Sequence, residues 1–285
     1  MRPIAALALL CLAPAVRAQS VDHDIVYMKS GGAAFTMDAF RPAKPNGIAV
    51  VSIVSGGWFS DHTGINAGLA KPFNDAGITV FEVVHGSQPR YKIPEIEAQI
   101  SRAIRYVRAN ATRFGISPNK IGVFGGSAGG HLSLMSAVTA DVGKADANDP
   151  VDRVSSGPNA IVALFPPTDM VNFGTTGRTP FKEPKYLVFQ GAFPVKPDAS
   201  AEEMAAVAKS LSPIYGVKAD FPPTLLIHGD KDDLVPLQQS QILDAKFAEL
   251  GVSHKLIVVP GAGHGGPGFV ERMGDVVGWF LEKLK

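Results

Sequence analysis

A single cysteine, Cys11, is present in 285 residues. No disulfide can therefore form within the chain, and no cysteine-based metal or redox motif is available. Neither sign of charge is in excess, with 27 Lys and Arg against 26 Asp and Glu. No run of basic residues breaks this balance. That excludes the electrostatic footprint expected of a nucleic-acid or anionic-membrane binder. No apolar stretch reaches the ~20 residues that cross a bilayer as a helix. Internal repeats and low-complexity tracts are also missing.

The first residues have a recognisable pattern. Arg2 supplies a positive start, Ile4 to Leu12 is apolar, and Val16-Arg17-Ala18 has the small residues of a processing site. This predicts a signal peptide over residues 1–18, cut after Ala18 and leading to a secreted or periplasmic protein. Cys11 leaves with it. So do Arg2 and Arg17, which takes 27 basic residues to 25 against 26 acidic ones. Residues 19–285 are then long enough for one large core in a single domain.

Strand-like and helix-like segments alternate along that domain. Ile25 to Met28 and Phe35 to Arg41 predict an antiparallel pair turning at Ser30-Gly31-Gly32. Ile48–Val54 and Ile78–Val84 are continuous apolar runs, as expected of strands buried on both faces. A helix is expected over Leu69–Ala76. A longer one should start at Pro94 and run to about Arg113. Its apolar stripe is Ile96, Ile100, Ala103, Ile104 and Val107, with Glu97, Arg102, Arg105 and Arg108 largely outside it. Strand 121–124 and a helix to about Val138 follow. Further strands are predicted at Ala160–Phe165, Thr224–His228 and Lys255–Val259, and further helices at Leu237–Leu250 and Phe269–Leu284. Such alternation implies an α/β fold with a mostly parallel central sheet and helices on both faces. In such a fold ligands bind beyond the carboxyl ends of the strands. Residues 166–222 interrupt the rhythm and read as a short lid-like insertion, with one helix near Ala201–Leu211.

Gly125-Gly126-Ser127-Ala128-Gly129-Gly130 directly follows the apolar run 120–124. A buried strand feeding a tight turn that carries one serine, then a small-residue helix start, is the pattern of a nucleophile elbow. A G-x-S-x-G match by itself is only suggestive; its position after a strand gives it weight. A serine nucleophile needs a base, and the base needs an orienting carboxylate. His264 lies in the glycine loop Gly261-Ala262-Gly263-His264-Gly265-Gly266, just past a predicted strand, and is the candidate base. Asp230, Asp232 and Asp233 follow the strand ending at His228, and their position alone does not choose among them. Backbone N–H groups must also receive the developing oxyanion. Ala128, next after the serine, is one candidate donor. Gly57 or Trp58, in the turn that ends strand 48–54, is the other.

Five stretches together resemble the α/β-hydrolase superfamily. They are SGGW at 55–58, PEIEAQISRAIRYVRANATRFGISPNKIGVFGGSAGGHLSL at 94–134, FPPTDM at 165–170, PPTLLIHGDKDDLVPLQQS at 222–240 and GAGHG at 261–265. The sequence is most similar to the bacterial feruloyl/acetyl-xylan esterase (BD-FAE-like) branch, beside the prolyl oligopeptidase catalytic domain. The resemblance implies an α/β-hydrolase fold and selects Asp232, four residues after the strand-end histidine. It implies a serine carboxylesterase with Ser127, Asp232 and His264 as catalytic residues, acting on acetyl or feruloyl esters of saccharides, with no cofactor and no metal. One departure stands out. Related esterases carry histidine before the glycine pair of the oxyanion loop, where this sequence has Ser55. Nearby His62 is either a substitute brace or a surface histidine. His131 matches a family position that suggests packing, and His228 is expected to bond locally. His85, Arg90, Trp58, Phe59 and Phe193 are candidate pocket residues. A prolyl-oligopeptidase-like peptidase is the alternative, but the propeller of that family has no counterpart in the roughly 30 residues before the first strands. An inactive fold kept for binding is a third reading, and the intact Ser, His and Asp set weighs against it.

Overall fold

A computed structural model describes residues 19–285. The predicted signal peptide and its cleavage point lie outside the described residues. Eight strands form one sheet: β1 (Ser20–Ser30), β2 (Ala33–Arg41), β3 (Ala49–Val54), β4 (Thr79–Val84), β5 (Ile121–Gly126), β6 (Ala160–Leu164), β7 (Thr224–Gly229) and β8 (His254–Val259). Their spatial order is β1-β2-β4-β3-β5-β6-β7-β8. β1 and β2 form the expected hairpin, and β2 meets β4 antiparallel. All later pairings are parallel. Helices α1 (Ala67–Asp75), α2 (Ile93–Ala109), α3 (Ala111–Phe114), α4 (Ala128–Val138), α5 (Ala201–Ser210), α6 (Gln238–Leu250), α7 (Pro267–Val270) and α8 (Met273–Lys283) connect or flank the strands.

Side chains that alternate along a strand face opposite layers. Val51, Ile53 and Val123 pack with Ile93, Ile96, Ile100 and Ile104 of α2. Val50, Phe124 and Val162 pack instead with Phe73 of α1 and Phe280 of α8. Ile161 and Leu226 meet Leu243 and Phe247 of α6. Both faces of the sheet are thus covered, which is why its strands read as unbroken apolar runs. Burying each of the four α2 isoleucines contributes about 1.5–3 kcal/mol.

Two details differ from the sequence expectation. Glu97 and Arg105, placed on the solvent face of α2, are buried. The loop after α4 folds back over that face: Arg105 donates to Asp141 and to the Val154 carbonyl, and Arg102 to Asp152 and Asp149. Periodicity finds the stripe facing the sheet but not a second cover supplied by a distant loop. The long helices are also interrupted. α2 stops at Asn110, with α3 following and ending on left-handed Gly115, while α7 and α8 divide the last predicted helix.

The site's position follows from the strand order. β3 and β5 are neighbours with their carboxyl ends in register, Ser52 beside Phe124. The chain leaves β3 toward β4 on one side and leaves β5 toward β6 on the other. The two departing loops splay apart and leave a crevice between them, as expected at a topological switch point.

Candidate active site

Ser127 sits at the apex between β5 and α4 with φ 53° and ψ −121°. This left-handed conformation costs a non-glycine residue about 1–3 kcal/mol. Surrounding bonds hold it: the Ser127 N–H donates to Leu164 O at 2.9 Å, and its carbonyl accepts from the His131 N–H at 2.9 Å. The turn is tight enough that a Cβ on Gly125 would lie 2.4 Å from the Gly129 carbonyl carbon. Only glycine fits there, so the glycine pattern follows directly from chain crossing.

The three side chains brought together from β5, β7 and β8 form a hydrogen-bonded line. Ser127 Oγ donates to His264 Nε2 at 2.8 Å, and His264 Nδ1–H donates to Asp232 Oδ2 at 2.7 Å. A carboxylate can only accept, which assigns the imidazole proton to Nδ1. Asp232 is the loop carboxylate that reaches the histidine. Asp230 instead accepts from the Gly261 N–H at 2.7 Å, bracing the histidine loop, and Asp233 is exposed.

The Asp232 side chain is shut off from solvent. Burial works to raise its pKa, but hydrogen bonds from His228, His264 and the Val235 N–H outweigh it and hold the carboxyl well below the usual range. Its Oδ1 accepts from Leu234 and Val235 N–H at 3.0 and 2.8 Å. His228 lies 3.3 Å from Oδ2 and donates through Nε2 to Val235 O, while Nδ1 accepts from Ser240 Oγ. Both nitrogens of His228 are engaged, which removes it from any metal-ligand set with Asp230 and Asp232. The charged form of Asp232 is thus fixed before any substrate arrives.

The loop after β3 turns back on itself through paired bonds between Gly56 and Phe59 at 3.0 and 2.9 Å. Gly57 and Trp58, both with positive φ (57° and 62°), occupy the middle of this turn. Among the described residues, the N–H groups of Gly57, Trp58 and Ala128 donate to no other protein group. All three residues line one cavity with Ser127. Unpaired donors around a nucleophile can stabilise negative charge on a carbonyl oxygen.

His62 does not brace this loop. It is on the surface, 2.6 Å from Thr36 Oγ1. Gln88 does so instead, donating from Nε2 to Gly57 O at 3.0 Å and from its backbone N–H to Trp58 O at 3.2 Å. The indole of Trp58 donates to the buried His131 ring, whose Nε2–H donates to Leu211 O at 2.8 Å. Burial pushes the His131 pKa down to about 4, so the ring is neutral. Ser55, directly before the glycine pair, leaves its hydroxyl buried and without a partner among the described residues.

The insertion covers the site. Pro167, Met170, Phe173, Tyr186, Phe189 and Phe193 line the cavity over Ser127. Tyr186 Oη donates to Leu234 O at 2.9 Å and Lys185 Nζ to Asp233 O at 2.6 Å, tying the insertion to the acid loop. Of the pocket residues expected from sequence, Trp58 and Phe193 line the cavity, while Phe59, His85 and Arg90 do not. Phe59 points outward, His85 is buried with its pKa lowered to about 4 by burial, and Arg90 lies over the Tyr91 ring. The Phe165 ring centroid lies 4.6 Å from that of His264, although a Phe ending a buried strand reads from sequence as core. Gln88 carries no motif at all.

The BD-FAE family model matches residues 37–247. The chain is similar to Esterase LipC of Mycobacterium tuberculosis, 27% identical over 227 residues, which cover 79% of this chain and 54% of that protein. It is also 25% identical over 276 residues to an acetylxylan esterase of Xylanibacter ruminicola, covering 90% of this chain and 48% of that one. The chain spans about half the length of the curated relatives it matches. Among solved structures, a truncated carbohydrate esterase from gut microbiota superposes with a TM-score of 0.79 at 27% identity, over 95% of this chain and 98% of that one.

Proposed function

The chain belongs to the BD-FAE family, and on that premise we propose that it is a serine carboxylesterase working through an acyl-enzyme. The observation that carries this reading is the Ser127–His264–Asp232 line at 2.8 and 2.7 Å, facing three unpaired N–H groups. Ser127 Oγ attacks the ester carbonyl carbon while His264 Nε2 takes the hydroxyl proton. Asp232 keeps the imidazole in the Nδ1–H tautomer and stabilises the imidazolium. The N–H of Ala128, with Gly57 or Trp58, receives the oxyanion. His264 then protonates the leaving alcohol oxygen. Water, activated by the same nitrogen, releases the acid.

The substrates in this reading are acetyl or feruloyl esters of saccharides, supported by the acetylxylan and carbohydrate esterases among the relatives. Peptide cleavage has no comparable support. The reading also places the enzyme outside the cytosol, on the strength of residues 1–18. The purified protein should hydrolyse p-nitrophenyl acetate, and Ser127→Ala should lose about 10⁴–10⁶-fold in kcat. A wild type inert toward every ester tried would defeat the proposal.

A further inference from the structure

The cavity at Ser127 has two unlike sides. One is apolar: Met170, Phe173, Tyr186, Phe189, Phe193 and Val235 line it together with Gly57, Trp58 and Ala128. The other is the part-exposed glycine loop that carries His264. The leaving oxygen of an ester must lie within reach of His264 Nε2, since that nitrogen protonates it. The alcohol therefore departs over the glycine loop, and the acyl group points into the apolar side, which His264 does not line.

That acyl side is small. Its free volume is about 30 Å³, against the ~300–1,000 Å³ of a pocket that engulfs a drug-sized ligand. The Phe189 ring closes it. A Cβ built on Gly57 would lie 2.5 Å from Phe189 Cε1, so the ring rests directly on the glycine of the oxyanion loop. Trp58 meets the same ring edge-on at 6.2 Å.

The segment bearing Phe189 is fastened at several points. The Gln88 amide that donates to Gly57 O also donates to Val188 O, at 3.1 Å. Lys92 Nζ donates to Gly191 O at 2.7 Å, and Gln190 Nε2 to Phe181 O at 2.5 Å. The wall is therefore held in register with the oxyanion loop by one shared side chain.

Resting on the esterase reading above, we infer that Phe189, clamped over Gly57 by Gln88, sets the acyl length and restricts the enzyme to acetyl-sized acyl groups. The bulky aromatic acyl of a feruloyl ester is excluded while the ring stays in place. Gln88 is a positioning residue for this wall, and removing the ring enlarges the acyl side.

The test is kcat/KM for p-nitrophenyl acetate, butyrate and octanoate and for a feruloyl ester. It is run on wild type, Phe189→Ala, Phe189→Leu and, as a control away from the cavity, Val142→Ala, an exposed side chain in the loop after α4. One methylene too many in a hydrophobic pocket is worth about 10–200-fold. Wild type should thus favour acetate over octanoate by more than about a hundredfold. Phe189→Ala should bring the two within about tenfold by raising the long ester, with Phe189→Leu between and Val142→Ala like wild type. Gln88→Leu should shift the ratio in the same direction, with a rise in KM for acetate. Should Phe189→Ala fold poorly, Phe189→Leu reads the same ratio with most of the packing kept. The inference is overturned if the variants hydrolyse acetate while the ratio stays put, or if wild type already accepts octanoate and feruloyl esters as readily as acetate. Wild type inert to every ester would instead remove the esterase reading, and this inference with it.

Discussion

Trp58 Nε1 donates to His131 Nδ1 at 3.3 Å, between two buried side chains from segments 73 residues apart. The bond joins the loop after β3, which holds one candidate oxyanion donor, to the helix after the elbow, which holds the other. The histidine that braces this loop acts from across the crevice, while Ser55, directly before the glycine pair, has a buried hydroxyl with no partner among the described residues.

Replacing His131 should therefore move the oxyanion loop rather than the nucleophile. His131→Leu is expected to lower kcat by about 10–100-fold with a smaller change in KM, because displacing a transition-state contact by an ångström can cost that much. His131→Gln, which offers an acceptor to the indole, should recover part of the loss. Steady-state kinetics on an acetyl ester with both variants decides it. Equal losses in kcat and stability, unrelieved by glutamine, would assign His131 to packing alone.

The same residue predicts an acid effect on stability. With a folded pKa of about 4 against ~6.5 in the unfolded chain, His131 is neutral when folded and protonated when unfolded throughout that window. The unfolded state takes up the proton, so stability falls as pH drops from ~6.5 towards 4, by up to about 3 kcal/mol. His85, lowered to about 4 as well, adds in the same direction. Urea unfolding at pH 7 and pH 4.5 measures the slope, and His131→Gln should reduce it.

Three loop carboxylates that sequence position alone did not separate are separated by their contacts, and kinetics should follow. Asp232→Asn would leave the imidazole without its anionic partner and is expected to lower kcat by about 10⁴-fold. Asp233→Asn should be near wild type, since that side chain is exposed. Asp230→Asn should cost less than tenfold, through a looser histidine loop. A large loss at Asp233 with a tolerant Asp232 would reassign the acid.

Most of this architecture was legible because it depends on local rules. Strands β3 to β8 are short apolar runs, and the Ser127 elbow is dictated by glycine at 125, where no Cβ fits. Chain order and strand ends pick out Ser127 and His264, whereas Asp232 is chosen among three loop carboxylates only by the family resemblance. What stayed hidden has no local signal. Gln88 is an ordinary polar residue until folding places it 3.0 Å from Gly57 O and 3.1 Å from Val188 O. The insertion's 3₁₀ turns at Pro180–Lys182 and Pro184–Ala192 have no periodicity to detect, yet they decide the cavity's shape. Glu97 and Arg105 follow the heptad-like logic of a solvent face, and only the returning loop buries them.

That buried Glu97 gives the last expectation. Its Oε1 has no partner among the described residues, and burial pushes its pKa up to about 8. Folded, the carboxyl keeps its proton over a range in which the unfolded chain, with a glutamate pKa of ~4.3, has already lost it. Stability must therefore fall as pH rises from ~4.3 to about 8, by several kcal/mol at most, and level off above. Glu97→Gln keeps the shape and removes the ionisation. The variant should match wild type near pH 5, exceed it by roughly 2–4 kcal/mol at pH 8.5, and flatten the slope between. Denaturant titrations at pH 5, 7 and 8.5 measure this directly. Parallel wild-type and variant curves would mean that Glu97 is ionised in the fold, with solvent or a cation satisfying it in the cleft beside Arg102 and Lys29.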